Sequence, residues 1–261
     1  PATTASMRIA ATIPVAMSTA TMASVVPWRA PSSAVVKHVP SPSAGPSMAP
    51  TNSSAKKSVP ARSAGIDTSG DSVVDDGVPV ASSASLALMS VSAMNVLRAH
   101  SLPNCDFRDA SQVLSALNNA FLMEKHNGMY FTIWYGVYDR PQRRLVYGSA
   151  GHHPAYLLSS DRTLVTPLKT EGPLIGAIDE YDFDHTEAVI PEGASLHIFS
   201  DGVFEVDDTT GKQLGLGDLM PILQSRPVEG RSEPQRIYQS VRSYARPGPL
   251  DDDFSYLVVK F

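Results

Sequence analysis

The chain has 261 residues, enough for one domain with a sizeable core, or for a domain and a tail. Its net charge of −5 and pI of about 5.8 argue against a general nucleic-acid binder, which would carry a basic face. One cysteine, Cys105, excludes an internal disulfide and a Cys-based zinc site, and suits a reducing cytoplasm.

No apolar run approaches the roughly 18 residues that a spanning helix needs, so no membrane segment is expected. Residues 9–27 are Ala-rich and follow Arg8. Pro14, Ser18, Thr19 and Thr21 interrupt the apolar core that an export signal requires, which weighs against a signal peptide.

Composition shifts near residue 100. Residues 1–66 contain no Asp or Glu, and residues 1–100 contain a single aromatic residue, Trp28. Few large side chains leave little apolar area to offset the entropy of ordering. Residues 1–60 therefore read as a low-complexity Ala/Ser/Pro-rich segment, expected to be disordered. A second reading of the same composition is aberrant sequence, since GC-rich DNA read in a wrong frame yields these residues. Residues 61–261 read as the folded domain, best supported over 86–261.

Leu86, Leu88, Met89, Val91, Met94, Val96 and Leu97 predict a buried helix that ends at Leu102-Pro103. A second helix is predicted from Asp109, with Gln112 placed for a capping box. Val113, Leu114, Leu117 and Phe121 share one face of it. Lys125 and His126 are expected in its last turn, with Gly128 closing it.

Strands are predicted next. Residues 129–138 and 144–149 read as a hairpin about Pro141, and 156–158 with 164–165 as a short pair. Residues 187–190 and 196–199 flank the turn Pro191-Glu192-Gly193. Helices are expected near 217–223 and 234–244, and a closing strand over 255–261. The order predicts an α+β fold with helices packed on antiparallel sheets. Trp134, Tyr135 and Tyr138 are expected to pack in the sheet rather than form a peptide-binding stripe.

Three acidic motifs stand where strands meet loops. They are Phe199-Ser200-Asp201-Gly202, Asp251-Asp252-Asp253 before an apolar strand, and Ile66-Asp67-Thr68-Ser69-Gly70. Each alone reads as an ordinary solvated turn. Together they suit a hard cation, because Mg²⁺ and Mn²⁺ prefer carboxylate oxygens and water. Two such ions held by scattered carboxylates can activate water for in-line attack on phosphorus.

Read jointly, the motifs resemble those of bacterial PPM-type phosphatases, in the branch of the stage II sporulation protein E and sigma-factor regulators. Ala150-Gly151-His152-His153-Pro154 resembles the Ala-Gly-His-x-Pro signature, and Glu171 to Gly176 its Gly-x-Pro-Leu-Gly segment with one extra residue. Residues 199–205 match the Thr/Ser-Asp-Gly-Val-x-Glu motif, and Asp252-Asp253-Phe254-Ser255 the closing Asp-Asp-x-Thr/Ser. Leu114 to Asn118 and Tyr130-Phe131-Thr132 are similar to the helix-to-strand region.

The resemblance implies an α-β-β-α sandwich of two antiparallel sheets flanked by helices, with an incomplete or disordered N-terminal part. It implies two Mn²⁺ or Mg²⁺ ions on Asp67, the Thr68 carbonyl, Asp201 and Asp252. Gly202, Glu205, Asp253, Ser255 and His152 would support them, with no catalytic group beyond the metal-activated water. His152 is expected to orient its loop rather than to act as an acid or base.

Two departures stand out. Asp71-Ser72 and an insertion over 73–76 follow Asp67-Thr68-Ser69-Gly70 in place of the usual His-Gly, and no Gly-Gly-Asp-x-Tyr-Asp motif precedes it.

The implied activity is cytoplasmic hydrolysis of phosphoserine or phosphothreonine on a signalling protein. The implied setting is sigma-factor or two-component regulation, with an anti-sigma-factor antagonist as the type of substrate and no nucleic-acid or membrane partner. The alternative is a catalytically impaired phosphatase-like binding or regulatory module. No Cys-x5-Arg loop, Gly-x4-Gly-Lys-Ser/Thr loop or Gly-x-Ser-x-Gly elbow is present.

Overall fold

A computed structural model describes residues 6–14, 22–27, 83–250 and 252–261, with side chains from Leu88 onward. Three apolar clusters alternate with two antiparallel sheets, and this layering places the candidate site.

The first sheet holds β1 (Ser6–Pro14), β2 (Met22–Pro27), β3 (Phe131–Asp139), β4 (Arg144–Ala150) and β7 (Thr186–Val189), in the order β2-β1-β3-β4-β7. The second holds β5 (Ala155–Leu158), β6 (Val165–Leu168), β8 (Ser195–Phe199) and β11 (Tyr256–Lys260), in the order β11-β8-β5-β6. A small pair, β9 (Val206–Asp207) with β10 (Gln213–Leu214), follows β8.

Alternation along β3 shows how the layers arise. Successive side chains of a strand point to opposite faces. Ile133, Tyr135 and Val137 join the cluster under α1 (Ser83–Ala99) and α2 (Ala110–Ala120), whereas Trp134 and Tyr138 enter the cluster between the sheets. A strand covered on both faces reads as a continuous apolar run, as this one does. The two buried polar tips are satisfied: Trp134 Nε1 donates to the Leu168 carbonyl at 2.9 Å and the Tyr135 hydroxyl to the Phe107 carbonyl at 2.8 Å. Removing the Trp134 ring would cost about 3–5 kcal/mol.

The same alternation in β8 sends Leu196 and Ile198 between the sheets and Phe199 toward α3 (Leu216–Gln224) and α4 (Glu233–Tyr244). The layers are therefore α1 and α2, the first sheet, the second sheet, then α3 and α4. That is the α-β-β-α sandwich expected from the sequence.

Several expectations are corrected. Strands β1 and β2 are not among the predicted elements; they lie within residues 1–60, and the rest of that segment is outside the described residues. Composition gauges apolar area, but a strand also gains from backbone pairing, and β1 pairs with β3 along its whole length. The first helix is not buried all round: Met89, Ala93, Met94 and Leu97 are covered while Leu88 and Val91 face outward. It stops at Ala99, where His100 takes a positive φ, before Leu102-Pro103.

Asp109 caps α2 by accepting from the Ser111 and Gln112 amides. The Gln112 side chain turns to Asp109 Oδ2 and the Asp106 amide, so no reciprocal capping box forms. α2 also ends earlier than expected, at Ala120. Lys125 belongs to a separate 3₁₀ turn, Met123–Lys125, beyond which Gly128 adopts φ +74°. Residues 187–190 and 196–199 flank a turn without pairing: β7 joins β4 and β8 joins β5, so this turn carries the chain from one sheet to the other.

Candidate metal centre

β8 is a short apolar strand whose last residue, Phe199, lies beneath an aromatic group. It stacks with Tyr156, Tyr256 and His153, at ring separations of 5.8, 5.5 and 4.9 Å. The chain then breaks from the sheet into a 3₁₀ turn, Asp201–Val203. The Asp201 carbonyl accepts from the Phe204 and Glu205 amides at 2.9 and 2.8 Å, which holds the turn. β11 returns beside β8 with Tyr256 opposite Phe199. Antiparallel register thus brings the residues just after β8 against those just before β11.

Ser200 fastens this junction. Its amide donates to the Ser255 carbonyl at 3.0 Å. Its hydroxyl accepts from the Ser255 amide at 2.9 Å and donates to the Asp253 carbonyl at 2.7 Å. Gly202 lies against the same backbone, where a Cβ would sit 2.5 Å from the Asp253 carbonyl oxygen. Only a residue without a side chain fits there.

The junction brings the Asp252 carboxylate close enough to Asp201 for its charge to act on it. Burial first, then the Asp252 and Glu205 charges, raise the Asp201 carboxyl above its ordinary value; the Gly202 amide, donating to Oδ1 at 3.0 Å, pulls the other way. Asp252 Oδ1 accepts from the Asp253 amide at 2.7 Å. Glu205 and Asp253 are exposed, and Asp253 enters the junction through its backbone. Asp201 takes part in no ion pair with a Lys, Arg or His among the described residues. Mutually repelling, half-buried carboxylates are the donor chemistry of a hard cation, and the pair fits one. Among the described residues no set of three or more His, Cys, Asp or Glu is arranged to hold an ion. Asp67 and Thr68 lie outside the described residues.

His153 stacks on Phe199 and meets Phe204 edge-on, and His152 lies beside it. Gly151, at φ +66°, turns the chain out of β4, and its amide donates to the Gly172 carbonyl at 3.2 Å. This ties the Ala-Gly-His loop to the 171–176 segment, and Gly176 is fixed in turn by its amide donating to Asn118 Oδ1 at 2.8 Å. His152 is 1% exposed and its Nδ1 donates to the His153 carbonyl at 2.6 Å; His153 Nδ1 donates to the Pro154 carbonyl at 3.1 Å. Burial pushes the two imidazoles down to about 3 and about 4. Both are neutral at pH 7, and both Nε2 atoms are buried without a protein partner.

Ser200 and His153 were not singled out by sequence. Ser200 carries a signal only in its place directly before Asp201, and His153 occupies the variable position of Ala-Gly-His-x-Pro.

The model of the Stage II sporulation protein E (SpoIIE) family matches residues 73–261. The chain belongs to that family. Its members are metal-dependent. The chain is 28% identical over 151 residues to phosphoserine phosphatase RsbU of Bacillus subtilis, a match covering 58% of this chain and 44% of RsbU. It thus spans less than half the length of that curated relative.

Among solved structures it resembles the SiaA-PP2C domain of Pseudomonas aeruginosa, with a TM-score of 0.56 and 20% identity. That match covers 67% of this chain and 70% of the other. It also resembles the PP2C phosphatase domain of SpoIIE from Bacillus subtilis, with a TM-score of 0.55 and 18% identity, covering 67% and 50%. At such identities these likenesses show the fold, an α+β PP2C-type domain.

Proposed function

We propose that this SpoIIE-family chain is a serine/threonine protein phosphatase that hydrolyses phosphoserine or phosphothreonine on a signalling protein. The observation that carries the reading is the convergence of Asp201 and Asp252 at the β8–β11 junction, where burial and then the Asp252 charge raise the Asp201 carboxyl. In this reading the two carboxylates, joined by Asp67 and the Thr68 carbonyl, hold two Mn²⁺ or Mg²⁺ ions. Such ions, when bound, neutralise phosphoryl charge and make water nucleophilic at neutral pH.

The chain's own residues then bind and orient. Asp201 and Asp252 hold their oxygens in place, Gly202 allows the close approach of the two backbones, and Glu205 adds negative charge beside Asp201. Asp253 and Ser255 support the site through their backbone groups. His152 orients its loop: its Nδ1 proton is committed to the His153 carbonyl and its ring is neutral and buried. The phosphatase domain spans 61–261, best supported over 86–261, and β1 and β2 of the preceding segment add strands to its first sheet.

The setting follows by analogy with RsbU and SpoIIE: a cytoplasmic sigma-factor or two-component circuit, with an anti-sigma-factor antagonist as the type of substrate. No helix among the described residues is long and apolar enough to cross a membrane.

A second reading, a phosphatase-like binding or regulatory module without turnover, has one observation in its favour. Residues 1–66 contain no Asp or Glu, so they add no carboxylate to Asp67, Asp201 and Asp252. A Mn²⁺-dependent assay on a phosphoserine peptide and on p-nitrophenyl phosphate separates the two. The phosphatase reading expects turnover that EDTA and Asp201→Ala both abolish. Folded protein with no turnover, or turnover indifferent to Asp201→Ala, overturns it.

A further inference from the structure

We infer that Ser200 is a positioning residue, whose hydroxyl locks the 252–255 loop to the end of β8 and so sets the separation of the Asp201 and Asp252 carboxylates. The inference rests on reading those two residues as metal ligands.

A serine beside a phosphatase site invites reading as a nucleophile, but its bonding excludes that role. Ser200 is 2% exposed. Its hydroxyl proton is donated to the Asp253 carbonyl, and an oxygen lone pair accepts the Ser255 amide. Its amide bonds the Ser255 carbonyl and its own carbonyl accepts from Val203 at 3.1 Å. Every polar group of Ser200 is therefore engaged with backbone.

These bonds also sit where they matter. Ser200 precedes Asp201 directly, and its hydroxyl grips both residues that bracket Phe254, one residue beyond Asp252. Two loops meet here, from positions more than fifty residues apart in sequence. The β8–β11 ladder begins only at the Phe199–Tyr256 pair, so the carboxylate ends lie past the last ladder bond. Beyond that point, the Ser200 hydroxyl and the Ser200–Ser255 backbone bond keep the two ends in register. The close approach of Gly202 to the Asp253 carbonyl needs that register, because a sub-ångström slip would open or crush the contact. The Ser200 hydroxyl holds the backbone next to Asp252 rather than a ligand itself, and loss of a group bonded directly to a ligand, which weakens metal binding about 10–100-fold, sets the upper scale of the effect.

The test compares Ser200→Ala and Ser200→Val, which lack the hydroxyl, with Ser200→Thr, which keeps it on a side chain isosteric with valine. Calorimetric titration with Mn²⁺ and the exchange rate of the Ser255 amide in metal-free protein are read together. The inference expects Ala and Val to weaken Mn²⁺ binding measurably, by up to about 10–100-fold, and to speed Ser255 exchange, with Thr restoring both and KM for a phosphoserine peptide at saturating Mn²⁺ unchanged. Wild-type Mn²⁺ affinity and wild-type Ser255 protection in the Ala and Val variants overturn it.

If the wild type binds no Mn²⁺, the metal reading fails; Ser255 exchange that still depends on the hydroxyl then retains the lock alone. Should both hydroxyl-free variants unfold, wild-type exchange decides: protection of Ser255 matching the β11 amides supports the lock, and loop-like exchange overturns it.

Discussion

Gly202 packs under the backbone of Asp253 so closely that an added Cβ would lie 2.5 Å from the carbonyl oxygen and 3.0 Å from the carbonyl carbon. Both atoms are backbone, and the Ser200 hydroxyl already holds that carbonyl. Neither can yield without moving Asp252. Gly202→Ala is therefore expected to destabilise the fold by about 1–3 kcal/mol, the usual cost of overpacking. It should also weaken metal binding by pushing Asp252 away from Asp201. Urea denaturation and Mn²⁺ titration of the variant check both effects.

Asp201→Asn should act in opposite directions with and without metal. In metal-free protein it removes a buried negative charge that faces Asp252 and Glu205, so the melting temperature should rise. With Mn²⁺ present the wild type should gain stability by mass action, about 2.7 kcal/mol at a hundredfold excess over Kd, and the variant should gain none. Turnover should fall by more than ~100-fold, since metal stabilisation of transition-state charge is worth several kcal/mol. Thermal melts with and without Mn²⁺, and the phosphopeptide assay, read these outcomes.

Acid should destabilise the domain through three buried histidines. Burial lowers His152 to about 3 and His153 to about 4. Burial also lowers His197 to about 4, against the pull of Glu233 and with the push of Arg162 and Arg236. The unfolded chain protonates these groups near 6.5, so below that pH it binds more protons than the folded chain does, and stability falls as pH drops. Their contribution is complete above about 6.5 and is lost progressively toward about 4. Each fully buried group can contribute a slope of up to about 1.4 kcal/mol per pH unit. Urea midpoints measured from pH 7 to 4.5 should fall steeply, and His197→Gln should flatten the fall.

A buried ion network docks the second sheet on α4. Glu233 Oε1 accepts from Arg162 at 2.6 Å and from Arg236 at 2.5 Å, while Arg236 Nη1 donates to the Ile222 carbonyl at 2.8 Å. Burial alone would raise Glu233, but the hydrogen bonds and charges of Arg236 and Arg162 outweigh it and hold the carboxyl at about 2. Glu233→Ala leaves two arginines without their carboxylate, the Arg236 side chain being 4% exposed. Its expected cost is about 3–5 kcal/mol. Chemical denaturation checks this, and Arg231→Ala on the exposed rim should change little.

How far the sequence could be read depends on where the information lies. The aromatic and β-branched run of β3 and the apolar face of Val113, Leu114 and Leu117 are local patterns, and the α+β class followed from them, whereas the sandwich was implied by the family resemblance. The meeting of Asp201 and Asp252 at one junction was implied by the resemblance, because each stands at a strand end in a matching motif. The lock between Ser200 and Ser255 was not, because it exists only once β11 is in register with β8. Strands β1 and β2 were missed for a different reason: their residues are small, and the gain from pairing with β3 is invisible to composition. The passage from β7 to β8 likewise hides in sequence, since a tight turn between two strands looks the same whether they pair or separate.

Calorimetric titration of the purified chain with Mn²⁺ at pH 7 decides whether Asp201 and Asp252 hold metal. Saturable binding of two ions is expected in the wild type, lost in Asp201→Ala and in Asp252→Ala and weakened in Asp67→Ala. No binding by folded wild-type protein, or binding that survives Asp201→Ala unchanged, would contradict it.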